Sequence, residues 1–220
     1  MNNKTMKEYH KIKTLWKRET DKPCDMIIGE YALPEFELLK DLEWVATEKV
    51  DGTNVRIMWD GDKVKFGGKT DNSQMPMFLV DKLNELFGGE VNEQLLEQTF
   101  EDGGVCLYGE GYGPKIQKGG GNYGDVGFVL FDIKIGYTWL KREDVEDIAK
   151  KLGIKVVPII KTGTLKELSE FVEKGFSSQW GDFISEGIVA RPKVELLDRR
   201  GNRIIIKMKH KDFLKLTTKL

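Results

Sequence analysis

Only two cysteines and two histidines occur among the 220 residues, and their scarcity excludes a good deal. Cys24 and Cys106 are too few for a disulfide framework or a thiolate metal site, which suits a reducing compartment such as the cytoplasm. His10 and His210 lie far apart in the chain. They argue against a histidine-based metal site and leave a hard cation held by carboxylates as the alternative. No apolar run approaches the roughly 20 residues of a membrane span, and the polar start, MNNKTMKEYHKIK, lacks the apolar core of a signal peptide. A strong net charge is missing too: 35 basic and 36 acidic residues nearly cancel, so global charge names no partner. Repeats, low-complexity tracts and Pro/Ser-rich linkers are absent, and residues 1–220 read as one domain.

The charge that is present is unevenly placed. Residues 187–220 carry ten Lys/Arg against three Asp/Glu, a local balance of plus seven. That is either a solvated basic tail or a surface for phosphates. Alternating and apolar runs predict strands at residues 44–50, 55–59, 63–66, 105–108, 128–135, 155–160, 188–190 and 204–208. Helices are expected at 81–87, at 91–100, at 145–152 stopped by Gly153, and from a capping box at Thr164 and Glu167 to about Gly175. This is a mixed α+β pattern, with largely antiparallel sheets flanked by helices. Asp198–Arg203, DRRGNR, reads as a turn between strands. Lys115–Gly124, KIQKGGGNYG, lacks the glycine order of a P-loop and reads first as a mobile surface loop, with nucleic-acid contact as the second reading.

Chemistry gathers around TEKVDGTNVR, where Lys49 sits two residues before Asp51-Gly52. Asp-Gly is a favoured two-residue turn, so a β-hairpin joining residues 44–46 to 55–59 is one reading, with Lys49 merely solvated. Four later segments compete with it. YGEG puts Glu110 at the end of an apolar strand, FVLFDIK sets Phe131 and Asp132 in a strand otherwise fit for burial, and EGIVARP places Glu186 just before another. In IIIKMK, Lys207 and Lys209 lie two apart. Strand residues two apart share a face, so both lysines can point into one cleft.

In this order, KVDGTN, YGEG, FVLFDIK, EGIVARP and IKMK resemble the successive motifs of the covalent nucleotidyltransferases, the polynucleotide ligases and mRNA-capping enzymes. The resemblance covers essentially the whole chain and is strongest to the RNA ligase family. Asn54, five residues after the lysine, stands where DNA ligases and capping enzymes usually carry Arg. KIKTLWKRE and LPEFELLKDLEWVATEKVDGTN also look like the start of small phage-type RNA ligases. The resemblance implies a nucleotidyltransferase domain of the ATP-grasp-like ligase adenylation type. Its chemistry would be lysyl-AMP formation, AMP transfer to a 5′-phosphate end, and sealing by a 3′-hydroxyl. The DNA ligase and capping-type activities, or a non-catalytic nucleic-acid-binding relative, are the alternatives.

Site residues follow by the same resemblance. Lys49 would be the nucleophile, with Lys207 and Lys209 supplying the positive field at the α-phosphate. A free lysine has a pKa of about 10.4, so holding it neutral at pH 7 requires about 4–5 kcal/mol from its surroundings. Asp51, Glu110 and Glu186 match the metal-binding positions for Mg2+ or Mn2+. Phe131 would stack on adenine, and Thr47, Glu48, Asn54, Glu110 and Glu186 would lie against the nucleotide. Arg56 and Lys69 would contact ribose or phosphates, Lys69 standing where relatives tend to carry Arg and so lacking the bidentate fork. The implied partner is RNA bearing 5′-phosphate and 3′-hydroxyl ends. Most relatives append an RNA-gripping C-terminal domain, for which HKDFLKLTTKL is too short; the resemblance then implies a minimal ligase, one that relies on an accessory RNA-binding protein or domain, or one that seals a narrow set of ends.

Overall fold

The computed structural model of the chain describes residues 8–21, 25–101 and 104–217; Cys24 lies outside them. In chain order the elements are β1 (Lys13–Thr14), β2 (Trp16–Arg18), β3 (Met26–Tyr31), α1 (Pro34–Leu38), β4 (Trp44–Glu48), β5 (Thr53–Trp59) and β6 (Val64–Gly67). There follow α2 (Met77–Phe87), α3 (Glu90–Phe100), β7 (Val105–Tyr112), a 3-10 turn (Gly120–Tyr123), β8 (Gly127–Ile135), β9 (Thr138–Trp139) and α4 (Arg142–Lys151). The chain closes with β10 (Lys155–Val156), β11 (Ile159–Gly163), α5 (Leu165–Lys174), β12 (Gly187–Pro192), β13 (Ile206–Lys209) and α6 (His210–Thr217). It forms two compact units, one comprising His10–Val50 and Pro158–Leu220, the other Met1–Tyr9 and Asp51–Val157.

In the first unit a five-stranded sheet runs β1-β13-β12-β4-β11, and β2 pairs with β3. All pairings are antiparallel except that of β1 with β13. Strand alternation is clear in β4, where Trp44 and Ala46 face a core that also takes Ile188, Ile206, Leu168 and Phe213. Helix α5 opens on the expected capping box: the Glu167 amide donates to the Thr164 hydroxyl, and the Thr164 amide donates to the Glu167 carboxylate at 2.8 Å. The basic segment after β13 forms α6, tied down by the buried Phe213 and by Arg18 donating to Asp212 at 2.6 Å.

In the second unit the sheet runs β10-β8-β7-β5-β6, with β9 added to β8. Helices α2 and α3 bury Leu79, Leu83, Phe87 and Leu96 against Val55, Ile57 and Leu107. Spacing of four residues puts Leu79, Leu83 and Phe87 on one stripe, so α2 begins a turn before the expected residue 81. Cys106, in β7, is 1% exposed, and burial pushes its thiol up to about 11. Thiolate is the reactive form, so Cys106 is expected to stay unlabelled by an alkylating reagent at pH 8 in the native protein and to react after denaturation. Peptide mapping distinguishes it from Cys24; rapid native labelling of Cys106 would contradict this burial.

Two expectations change here. Strands β4 and β5 pair into different sheets, so Asp51-Gly52 joins them across units and is not a hairpin turn. Residues 155–160 are not one strand: β10 lies parallel on β8, and β11 antiparallel on β4. Pro158 has no N–H to continue a ladder, and the chain changes unit between Val157 and Pro158. Among the described residues no helix is long and apolar enough to cross a membrane.

Candidate active site

In the first unit, register alone brings the lysines together. Thr47, Val189 and Lys207 stand side by side across β4, β12 and β13, and Gly187 stands opposite Lys209. Past the end of β4, the Lys49 amide donates to the Gly187 carbonyl at 2.9 Å, prolonging the ladder by one residue. Thr47, Lys49, Lys207 and Lys209 therefore share one face of this sheet, as the two-residue period requires. Glu186 joins them from the start of β12. Its Oε2 lies 2.6 Å from Lys49 Nζ and its Oε1 2.6 Å from Lys209 Nζ.

This ion triad is largely withdrawn from water, Glu186 being 8% exposed and Lys49 18%. Burial by itself raises the Glu186 carboxyl, but the two ammonium groups outweigh it and hold it below the usual carboxylate range. The bridge is therefore intact at neutral pH and is lost only as pH falls through that depressed value. Gly187 makes the approach possible: its φ is 150°, and a Cβ there would lie 2.0 Å from the Met208 carbonyl oxygen.

Glu48 and Thr47 are held by the same unit. Buried Glu48 accepts from Ser178 Oγ at 2.5 Å and from the Gln179 amide at 2.9 Å, so its carboxylate anchors the segment leading to Glu186. Thr47 Oγ1 donates to the Val189 carbonyl at 3.2 Å. No sequence signal pointed to Ser178 or Gln179, which lie 130 and 131 residues away.

The second unit carries the other candidates. Asp51 is clasped by the glycine-rich segment: its Oδ2 accepts from the Gly119 amide at 3.0 Å, and its own amide donates to the Tyr123 hydroxyl at 3.2 Å. Gly120 and Tyr123 are buried. Most of the segment 115–124 is exposed, as a surface loop would be, and its small residues let the backbone close on Asp51. Asn54 stands opposite Glu110 across β5 and β7. A Cβ on Gly52 would lie 2.2 Å from the Gly111 carbonyl oxygen and 2.8 Å from Glu110 Cγ, so only glycine fits there. Asn54 Oδ1 is buried without a hydrogen-bond partner among the described residues, an arrangement that calls for water or a ligand.

Phe131 is half-buried in β8. Register shifts between Tyr108↔Asp132 and Gly109↔Leu130, leaving Phe131 as the extra residue of a β-bulge. A bulge re-aims one side chain away from the strand's alternation. Tyr9 packs edge-on against this ring at 5.1 Å and donates to the buried Asp132 at 2.5 Å, a contact not foreseen from the sequence. Arg56 is buried, donating to the Gly68 carbonyl and to Asp71, each at 2.8 Å; it holds the loop after β6. Lys69, on that loop, is exposed.

Among the described residues, no three His, Cys, Asp or Glu side chains gather as a metal cage. Asp51, Glu110 and Glu186 offer only oxygen donors, the ligand class that a hard cation such as magnesium or manganese takes.

A family model described as RNA ligase matches residues 42–209. Similar solved structures include Naegleria gruberi RNA ligase in several forms. A lysine-to-alanine variant with ATP and Mn superposes with TM-score 0.67 and 15% identity, over 98% of this chain and 59% of that one. An arginine-to-alanine variant with ATP and Mn has TM-score 0.66 and 15% identity, over 100% and 60%. The same ligase with PPi has TM-score 0.63 and 18% identity, over 97% and 60%. At these identities the likeness is one of fold. The chain spans about 60% of the length of these ligases.

Proposed function

Because this chain belongs to the RNA ligase family, we propose that it is an ATP-dependent RNA ligase in which Lys49 becomes covalently adenylated. The observation that carries this reading is the Lys49–Glu186–Lys209 triad on one sheet face, with Lys207 beside it. The related Naegleria ligase was solved with ATP and Mn and with PPi, which supports a nucleotide and a divalent metal here.

In the first step the Lys49 ammonium gives up a proton to solvent water, and its Nζ attacks the α-phosphorus of ATP. The N–P bond forms as the bond to pyrophosphate breaks. Lys207 and Lys209 steady the charge that accumulates on the phosphate oxygens. Glu186 has to release Lys49 before the amine can attack, and Lys209 on its other oxygen helps to hold it aside. Next, a 5′-phosphate oxygen of the RNA displaces Lys49 from the adenylate phosphorus. A 3′-hydroxyl then attacks the 5′-phosphate phosphorus, forming the phosphodiester and releasing AMP. Phe131, turned out by its bulge, is the ring proposed to stack on adenine. Asp51, Glu110 and Glu186 are the residues proposed to hold a magnesium or manganese ion through its water shell. When bound, that ion neutralises phosphate charge and lowers the cost of keeping Lys49 neutral. A cytoplasmic setting suits this chemistry and the near absence of cysteine.

Asn54 is short and neutral, and its buried oxygen, without a partner among the described residues, suits a sugar hydroxyl at the nick. RNA is told from DNA chiefly by its 2′-hydroxyl and A-form shape. The test is sealing of matched nicks that differ only in the sugars at the end of the 3′-hydroxyl strand. RNA ends are expected to be sealed roughly tenfold faster or better, the worth of about one hydrogen bond. Equal or better sealing of the all-DNA nick would promote the DNA ligase alternative and leave the Lys49 chemistry intact.

A further inference from the structure

The first unit contains a cavity of about 630 Å³ away from the lysine face, walled by the segment before β1 and by the turn between β12 and β13. Lys11, Lys13, Arg199 and Arg200 line it and are exposed. Among the described residues none of these four is engaged by a carboxylate at ion-pair distance. Arg203 adds a fifth cation to the wall and is 4% exposed, with Glu195 3.6 Å from its Nε. Against them stand Glu35 and Asp198. The Asp198 carboxylate is spent on the turn itself, accepting from the amides of Arg200 and Asn202 and from the Asn202 side chain. The floor is apolar, formed by Phe36, Ile204 and Ile205, all buried.

We propose that this cavity binds the phosphate backbone of an RNA strand. Five cations drawn from two distant chain segments favour a polyanion, and the apolar floor can take a sugar or base edge between phosphates. Its volume exceeds the needs of a lone phosphate ion. Strand β13 connects it to the candidate active site: Arg203 and Lys209 are six residues apart, roughly 20 Å along an extended chain. An RNA reaching from one to the other would be gripped several nucleotides from the reacting ends. The proposal rests on the RNA ligase reading for its ligand, so its test avoids the ligase chemistry.

Binding of a fluorescent single-stranded RNA to the 220-residue chain is measured without ATP, across a salt series. The R199A/R200A double variant is expected to bind about tenfold or more weakly. Its slope of log affinity against log salt should be shallower by about 0.7 for each lost phosphate contact on a single strand. The exposed K166A on α5 serves as a charge control, and thermal melting checks that each variant folds. Unchanged affinity and slope in R199A/R200A would overturn the proposal, as would an equal loss in K166A, which marks diffuse attraction. Inorganic triphosphate protecting the cavity without displacing RNA would also overturn it, as the mark of a small-anion pocket. Failure of the chain to adenylate itself is read separately with labelled ATP and bears on the ligase reading alone.

Discussion

Lys49→Ala is expected to yield a folded protein that takes up no label from α-labelled ATP in the presence of magnesium. The side chain to be removed ends in an ion pair with Glu186, which retains Lys209 at 2.6 Å on its other oxygen. Removing one partner of a buried pair is costly when it strands the other charge; here it does not, so the fold should survive with a modest fall in melting temperature. Chemically the loss is complete, because no other residue in the chain is proposed to form the N–P bond. Wild-type protein should carry an acid-stable AMP adduct that peptide mapping locates on Lys49. A variant that still labels, or an adduct on another residue, would overturn the proposed chemistry.

Lys209→Ala and Lys207→Ala should each slow single-turnover adenylation strongly while leaving Lys49 in place. Oriented charges facing a developing phosphate charge in a water-poor site contribute about 2–4 kcal/mol each, or roughly 30- to 1,000-fold in rate. The two variants should differ in kind. Lys209→Ala also frees one oxygen of Glu186 and leaves Lys49 as its sole ammonium partner among the triad, tightening the grip on the nucleophile. Its rate should therefore recover in part at higher pH, where Lys49 deprotonates more readily, whereas the Lys207→Ala defect should be less sensitive to pH. Wild-type rates in both variants would mean that this sheet face is merely solvated.

What the sequence determined by itself is local. The identity and order of the motif residues, the shared face of Lys207 and Lys209, the capping box at Thr164 and the helix stop at Gly153 depend on neighbours within one strand period or one helical turn. Those forces act whatever the rest of the chain does, so the pattern is legible without coordinates. The α+β class was legible for the same reason. Tertiary structure decided which strands pair. A period-two pattern says that a segment is a strand and not which sheet receives it, so residues 155–160 looked continuous although Pro158 divides them between two sheets. The same blindness made Asp51-Gly52 look like a hairpin.

Long-range contacts decided how the candidates are held. Glu48 is fastened by Ser178 across 130 residues, Asp51 by Gly119 across 68, and Tyr9 reaches Asp132 across 123. Such contacts form only after folding has brought together residues that carry no local sign of each other, since the entropy of closing those loops is offset by the whole packed unit. The bulge at Phe131 belongs here too. Its strand alternation makes it a core residue, and only the register of β8 against β7, set by pairing along both strands, leaves it as the extra, half-buried residue of a bulge.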